Sequence, residues 1–418
     1  MRQSLPHVTL DNILLRLTDT ELNVCALASS SPNGWQTKVA WNPVDTFRLG
    51  SNAEASSTGL EKFVQEQQHA GRLTIGYLSY DFGRSLHHVE PQANDDLGMP
   101  LAFVASFDSW LEFDHGGAEI VAAEESFADS VDQILSRPLG PQPTEAYSKP
   151  LQPTLSRKQY GAAYRKVQSH ISAGDVYQIN LTHRLEGSTK LSGRDLFCLL
   201  AKDSKSDFRA YIEDGEFEIL SYSPERFIEV KSGRISTMPI KGTRPRGASP
   251  DRDKALEEDL LTSAKDRAEL DMITDLMRND LGKICEVGTV KVEQRRVLTA
   301  YPTLWHAHSR IVGELSDDVS PIAALCSVSP GGSITGCPKK RAIELIDELE
   351  RGRRGVYTGS IFTVLPDGDL DSSIAIRTMI KRDSQLYLSV GGGIVHDSKD
   401  AEEYQESLDK AASFIKIT

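Results

Sequence analysis

The most regular stretch of the chain begins at residue 156. Ser156-Arg157-Lys158-Gln159 has the form of a capping box, Tyr160, Tyr164, Val167 and Ile171 recur at helical spacing, and Gly174 supplies the stop. The period then changes to two. From Val176 to Leu185, Tyr177, Ile179, Leu181 and Leu185 share one face while Gln178, Asn180 and Thr182 share the other, which predicts a strand. Apolar or alternating runs predict further strands over 75–80, 101–107, 218–222, 226–230, 356–365, 374–380 and 385–390. They arrive in hairpin-like runs and not in strict βαβ alternation, so the fold class is α+β with mainly antiparallel sheets.

Two amphipathic helices carry an anomaly. Over 263–282, Leu270, Ile273, Met277 and Leu281 mark a core face, and Asp266 and Glu269, three apart, continue toward the same side. Over 399–415, Tyr404, Leu408, Ala411 and Ile415 mark the apolar face, with Glu403 and Glu406 again three apart. Taken singly, such acidic pairs are ordinarily solvated faces. Together, four carboxylates on two helices can supply oxygen ligands to one magnesium ion, which takes one or two carboxylates and completes its shell with water and substrate.

Two glycine-rich segments add capacity for anions. Residues 331–339 (GGSITGCPK) run into a helix predicted over 341–349, with Pro338 suited to its first turn. The spacing is not that of a phosphate-cradling Walker loop. Gly391, Gly392 and Gly393 follow the strand ending at Val390, where bare backbone N–H groups can grip a carboxylate. A purely structural turn is the alternative for each.

Charge sharpens this picture. The 418 residues carry a formal net charge of −13, which argues against nucleic-acid or anionic-membrane partners and requires local cations or a metal for any anionic substrate. Apolar residues make up 39%, enough for a large core, and no apolar run approaches membrane-spanning length. The N-terminal residues do not lead into a signal-peptide core, and the five scattered cysteines lack CxxC spacing, so they read as reduced thiols of a cytoplasmic protein. Prolines 138, 141, 143, 150 and 153 mark a linker candidate between a strand-rich part, 1–135, and a motif-rich part, 156–418.

The candidate chemistry centres on Lys241. Ile235, Met238 and Ile240 lead an apolar approach to this amine on a turn made by Gly242 and Pro245, and a desolvated lysine can act as a nucleophile. A solvated loop with three cations, Lys241, Arg244 and Arg246, is the plainer reading of that stretch alone. Arg377, inside the apolar run 374–379, is either at a strand edge or paired with a buried anion that Tyr357 can also reach. Glu225, at a strand junction, can protonate a leaving hydroxyl if its pKa is raised.

These residues together resemble the chorismate-utilising enzymes, and within them most closely the branch of aminodeoxychorismate synthase component I. The resemblance rests on Ser223-Pro224-Glu225-Arg226, Pro239-Ile240-Lys241-Gly242-Thr243, the segments 263–269 and 275–280, the 331–339 loop, Ile376-Arg377-Thr378, 391–395 and Glu403-Tyr404-Gln405-Glu406, with 76–84 in the N-terminal part. It implies a four-layer fold of two large, mostly antiparallel sheets packed together with helices outside. Residues 1–418 would then form one intertwined unit, and the proline-rich stretch a long surface loop. By the same resemblance Glu269 and Glu406 would bind magnesium directly, with Asp266 and Glu403 acting through water. Gly391–Gly393 would take the ring carboxylate of chorismate, Tyr357 and Arg377 the enolpyruvyl carboxylate, with Thr243 also at the substrate. Glu225 would be the general acid for the C4 hydroxyl, and His306 would sit near that edge; His308 has no implied role.

Two positions select the branch. Relatives that add water carry a lysine where this chain has Gln178, and an amide cannot deprotonate water, which points to ammonia as the final nucleophile. Lysine at 241 resembles the aminodeoxychorismate synthases that form a covalent adduct at C2 of chorismate. The alternative is anthranilate synthase component I. From another class, a nucleotide-binding or regulatory protein is disfavoured by the glycine spacing. No Gly-x-Cys-x-Gly amidotransferase segment is present, so ammonia would come from a separate glutaminase subunit or from solution.

Overall fold

The computed structural model describes all residues except 1, 32, 115, 141–144, 203, 205, 302–303 and 416–418. Pro141 and Pro143 of the proline-rich stretch therefore lie outside the described residues. Two antiparallel sheets dominate. The twelve-stranded sheet runs Arg2–Pro6, Gly117–Ala122, Ser109–Asp114, Lys38–Ala40, Cys25–Ala28, Phe208–Glu213, Glu218–Ser223, Thr378–Arg382, Gln385–Ile394, Gln178–Ser188 and Gly336–Cys337, with Lys149–Pro153 also on Gln178–Ser188. The ten-stranded sheet runs Ile240–Pro245, Leu304–Glu314, Arg234–Thr237, Arg226–Lys231, Leu370–Ile374, Ser360–Val364, Leu73–Leu78, Ala102–Phe107 and Asp45–Leu49, with Lys291–Ala300 also on Leu304–Glu314.

A core of Leu27, Ala210 and Ile212 from the first sheet and Tyr77, Phe103 and Ile361 from the second lies between them, so the sheets pack face to face. Helices cover both outer faces: Leu10–Leu14, Ser126–Ser136, Gly193–Ala201 and Asp400–Ile415 on the twelve-stranded sheet, Ser57–His69, Ala264–Leu281 and Pro321–Val328 on the other. This is the four-layer α+β arrangement the pattern and resemblance imply. Both sheets draw strands from before and after the proline-rich stretch. Pro150 and Pro153 are not in a linker but in the short strand Lys149–Pro153, which has one strand partner, where a missing N–H is tolerated. The five cysteines are free, and among the described residues no helix is long and apolar enough to cross a membrane.

Local signals are realised where they are local. Ser156 and Gln159 close a capping box on Arg157–Ala173, and Gly174 ends that helix with φ 81°. Ser263 accepts from the Asp266 N–H and caps Ala264–Leu281, a contact worth about 1 kcal/mol that also fixes Asp266 in the first turn of the helix. Other boundaries differ. Tyr177 lies just before its strand and is exposed, because the strand begins at Gln178. The last helix buries Glu403, Ser407, Ala411 and Phe414; Tyr404 and Leu408 are half-buried and Ile415 is exposed. The 356–365 run is a strand only from Ser360 to Val364. The 374–380 run is not one strand: Leu370–Ile374 belongs to the ten-stranded sheet and Thr378–Arg382 to the twelve-stranded one.

Candidate active site

That break builds the site. Residues 375–377 carry the chain from one sheet to the other, and Pro224-Glu225 carry it across between Glu218–Ser223 and Arg226–Lys231. The two crossings are tied side by side: the Ile374 N–H donates to the Glu225 carbonyl at 3.1 Å and the Tyr222 N–H to the Arg377 carbonyl at 3.0 Å. Arg377 is therefore not in a strand. It sits at φ 50° on a crossing, a left-handed conformation that a run of apolar letters does not signal.

A cavity of about 510 Å³ opens at this seam. Glu225, Lys241, Thr243, His306, Tyr357, Arg377, Gly391 and Gly393 line it, and so do Asp266, Glu269, Glu403 and Glu406. Twelve of the fourteen expected residues thus face one space. Gln178 and Gly392 do not line it. Gln178 is fully buried with neither amide atom hydrogen-bonded, and a Cβ on Gly393 would come within 3.0 Å of its Nε2, so it lies directly behind that glycine. Gly391–Gly393 do not follow a strand but lie inside Gln385–Ile394, paired through Thr182, Leu181 and Asn180. A Cβ on Gly392 would stand 3.3 Å from Glu403 Oε2 and 3.9 Å from Glu406 Oε1, so the absent side chain keeps the space before the carboxylates open.

Lys241 is held in the strand Ile240–Pro245, not on a turn. A bulge between Ile240 and Thr243, with Gly242 at φ 87°, turns its side chain into the cavity. Its setting is not the apolar one the approach sequence implies. Met238 and Ile240 are half-buried, and its charged neighbours are Glu225, Glu269 and Glu406. Thr243 Oγ1 lies 2.9 Å from His306 Nδ1, and the His306 ring meets Tyr301 edge-on at 5.3 Å. His308 does not line the cavity; it is buried 3.5 Å from Thr299 Oγ1.

The electrostatics assign different protonation states. Burial raises the Glu225 pKa to about 7, against the opposing pull of Lys241, the Ile240 N–H and Ser333, whose Oγ approaches to 3.5 Å. Burial, then the Arg377 charge, lowers His306 to about 4, so its imidazole is neutral near neutral pH. Burial lowers Arg377 and raises Tyr357. Glu269 is raised by burial, with Asp266 and Glu406 adding repulsion. Glu403 is also raised by burial, with Glu406 adding to it. Burial pushes Glu406 up as well, but Lys410 and Lys265 outweigh it and hold it low.

Among the described residues no three His, Cys, Asp or Glu side chains converge tightly enough to form a ready-made metal cage. The donor set nevertheless fits an open magnesium site. Four carboxylates of two helices face one cavity, where repulsion from Asp266 and Glu406 adds to the raised pKa of Glu269 and repulsion from Glu406 to that of Glu403, and magnesium needs only one or two of them. The 331–339 loop serves differently from the anion cradle expected. Pro338 precedes the helix Lys339–Leu349 instead of opening it, and Lys339 at its start pairs at 2.6 Å with Asp280. Only Ser333 and Ile334 of the loop face the cavity.

A model of the chorismate binding enzyme family matches residues 25–416. The chain belongs to that family. Aminodeoxychorismate synthase component 1 of Klebsiella aerogenes is 39% identical over 339 residues, 80% of this chain and 75% of that protein. An anthranilate synthase component 1 of Haloarcula marismortui is 37% identical over 362 residues, 82% and 72% respectively. The crystal structure of anthranilate synthase component I from Streptococcus pneumoniae TIGR4 superposes with a TM-score of 0.82 at 27% identity, covering 99% of each chain.

Within this chorismate binding enzyme several cavity residues escaped the sequence reading. Lys410 donates to Glu406 and to the Gly391 carbonyl, both at 2.9 Å, and Lys265 stands 3.9 Å from Glu269. Both lie four residues from a cavity carboxylate on the same helix, a spacing that signals the pairing. Arg244, read as a loop cation, bridges Asp259 at 2.6 Å and Asp266 at 3.1 Å. Asn180 and Ser333 had no local signal beyond polarity.

Proposed function

We propose that this chain is the chorismate-aminating component of an aminodeoxychorismate synthase, converting chorismate and ammonia to 4-amino-4-deoxychorismate on the route to p-aminobenzoate and folate. The observation that carries the reading is Lys241 turned by its bulge into the cavity that Glu225 also lines. Anthranilate synthase component I is the second reading, favoured by the Haloarcula marismortui relative of that name at 37% identity.

Arg377, on its crossing, and Tyr357, in the segment leading into Ser360–Val364, take the enolpyruvyl carboxylate; the Gly391–Gly393 edge takes the ring carboxylate. Glu269 and Glu406 would hold magnesium directly, with Asp266 and Glu403 through water, and the ion when bound supplies positive charge beside a substrate carboxylate. Glu225, protonated up to about pH 7, gives its proton to the C4 hydroxyl, which leaves as water. Lys241, once its ammonium proton has been given up, attacks C2, and the two ring double bonds shift toward C4 as the C4–O bond breaks. Ammonia then forms the C4–N bond and the lysine C–N bond breaks, so the net change is replacement of hydroxyl by amine. His306, neutral and anchored to Thr243, borders the reacting edge as a hydrogen-bonding group and not as a cation. Ammonia arrives from a separate glutaminase component or from solution.

The test is product analysis with chorismate, magnesium and ammonium salt. Aminodeoxychorismate without pyruvate is expected; pyruvate with fluorescent anthranilate would transfer the chain to the second reading.

A further inference from the structure

A buried ion pair behind the cavity is used by none of the chemistry above. Arg354 and Glu350 lie four residues apart after the helix Lys339–Leu349, and both side chains are buried. Their fork is bidentate, Arg354 Nε to Glu350 Oε2 at 2.8 Å and Nη2 to Oε1 at 2.7 Å. The remaining donors reach the back of the site: Nη2 to the Asn180 carbonyl at 2.6 Å, and Nη1 to the Ile334 carbonyl at 3.0 Å and Thr358 Oγ1 at 3.1 Å. The guanidinium also stacks 4.5 Å over Tyr80.

Each of these contacts closes a gap the backbone leaves. Gln178–Ser188 pairs on one side with Gly336–Cys337 at residues 178–179 and with Lys149–Pro153 from residue 185, and between them has no strand neighbour on that edge. Glu350 Oε1 accepts the Thr182 N–H at 3.0 Å there, and Arg354 takes the Asn180 carbonyl. The pair stands in for the missing strand segment. Thr358 is a β-branched residue at φ 60°, a conformation costing of order 1–3 kcal/mol that needs outside support. Its hydroxyl binds Arg354, and its N–H donates to the Ala375 carbonyl at 2.8 Å on the crossing that carries Arg377. Tyr357 precedes it in the cavity wall, and Asn180 and Ile334 line the same wall.

We propose that the Arg354–Glu350 pair is a positioning device that sets the carboxylate-binding wall of the cavity, by fixing Thr358, and with it Tyr357, together with Asn180 and Ile334. The inference rests on the reading of chorismate as substrate. Arg354 touches no reacting atom, so it acts on how substrate is held and not on the bond-making step.

The test is Arg354→Lys, which keeps the charge and loses the fork. With chorismate and ammonium, its KM for chorismate should rise about tenfold or more while kcat changes less than about threefold. Glu350→Gln should shift KM in the same direction by less, and is read by the same criteria if the lysine variant does not fold. Arg194→Lys, which loosens a half-buried pair with Glu213 away from the cavity, should lower Tm without moving KM. An unchanged KM in both Arg354→Lys and Glu350→Gln, or kcat and KM moving only as they do in Arg194→Lys, overturns the inference. Wild-type failure to consume chorismate would instead overturn the amination reading. A crystal structure of Arg354→Lys decides the positioning role in either case: Thr358 is expected to leave its left-handed conformation, and its retention with Asn180 and Ile334 in place refutes it.

Discussion

Glu225 offers a thermodynamic test of the site that needs no substrate. Its carboxyl is raised from the usual 4.5 to about 7 by burial, with Lys241 only partly opposing. The folded state therefore binds a proton that the unfolded chain has lost between those values. Stability is unaffected by this group below about pH 4.5, falls as pH rises toward 7, and carries the full cost above it. At ~1.4 kcal/mol per pH unit the cost is roughly 3 kcal/mol. Glu225→Gln removes the titration while keeping the shape. The variant should gain on the wild type by about 2–3 kcal/mol between pH 5 and pH 8, measured by urea unfolding at each pH. The same substitution should lower amination by about 10²–10⁴-fold, because an amide has no proton to give the leaving hydroxyl. Wild-type kcat/KM should fall above pH 7, where the acid form is lost. A stability difference that stays flat across this range would show that Glu225 ionises freely, and the general-acid role would fall with it.

Three further outcomes are expected. Lys241→Ala should retain chorismate binding and lose most amination; wild-type protein with chorismate and magnesium but no ammonia should show an adduct of chorismate minus water mapped to Lys241 by mass spectrometry, and normal turnover of the alanine variant would refute the lysine's role. Glu269→Gln and Glu406→Gln should each abolish turnover at low magnesium with the fold intact by circular dichroism, whereas full activity in EDTA would remove the metal from the scheme. Gln178→Lys places an amine behind Gly393 and should yield some hydroxylated product by chromatography; amination unchanged with none formed would mean position 178 does not reach the ring.

What could be read from the chain follows the range of the interaction involved. The Ser156 box, the Gly174 stop and the Ser263 cap are set within a few residues and were legible. The carboxylate pairs were legible because helical spacing places them, although their lysine partners four residues away were overlooked. The crossing at 375–377 was not: both sheets bury their strands there, so hydrophobicity stays high while the chain changes sheets, and Arg377 looks like a strand residue. The acidic surroundings of Lys241 come from helices that pack onto it from elsewhere in the chain. Family resemblance supplied what periodicity could not, namely which of many polar residues share one cavity.

The interleaving of the sheets bears on how the enzyme acquires its function. Leu73–Leu78 pairs with Ser360–Val364, and Cys25–Ala28 with Phe208–Glu213, so each sheet is closed by contacts between segments far apart in the chain. Such loop closure is slow and leaves long strand edges bare until it is complete. Cutting the chain between Arg137 and Ser148 would not release a small domain and an active one; the first fragment would carry five strands of the twelve-stranded sheet and three of the ten-stranded one, and the second the remaining strands of both. Mixed in one solution, the halves should recover activity only by pairing with each other, and either alone should aggregate through its open edges.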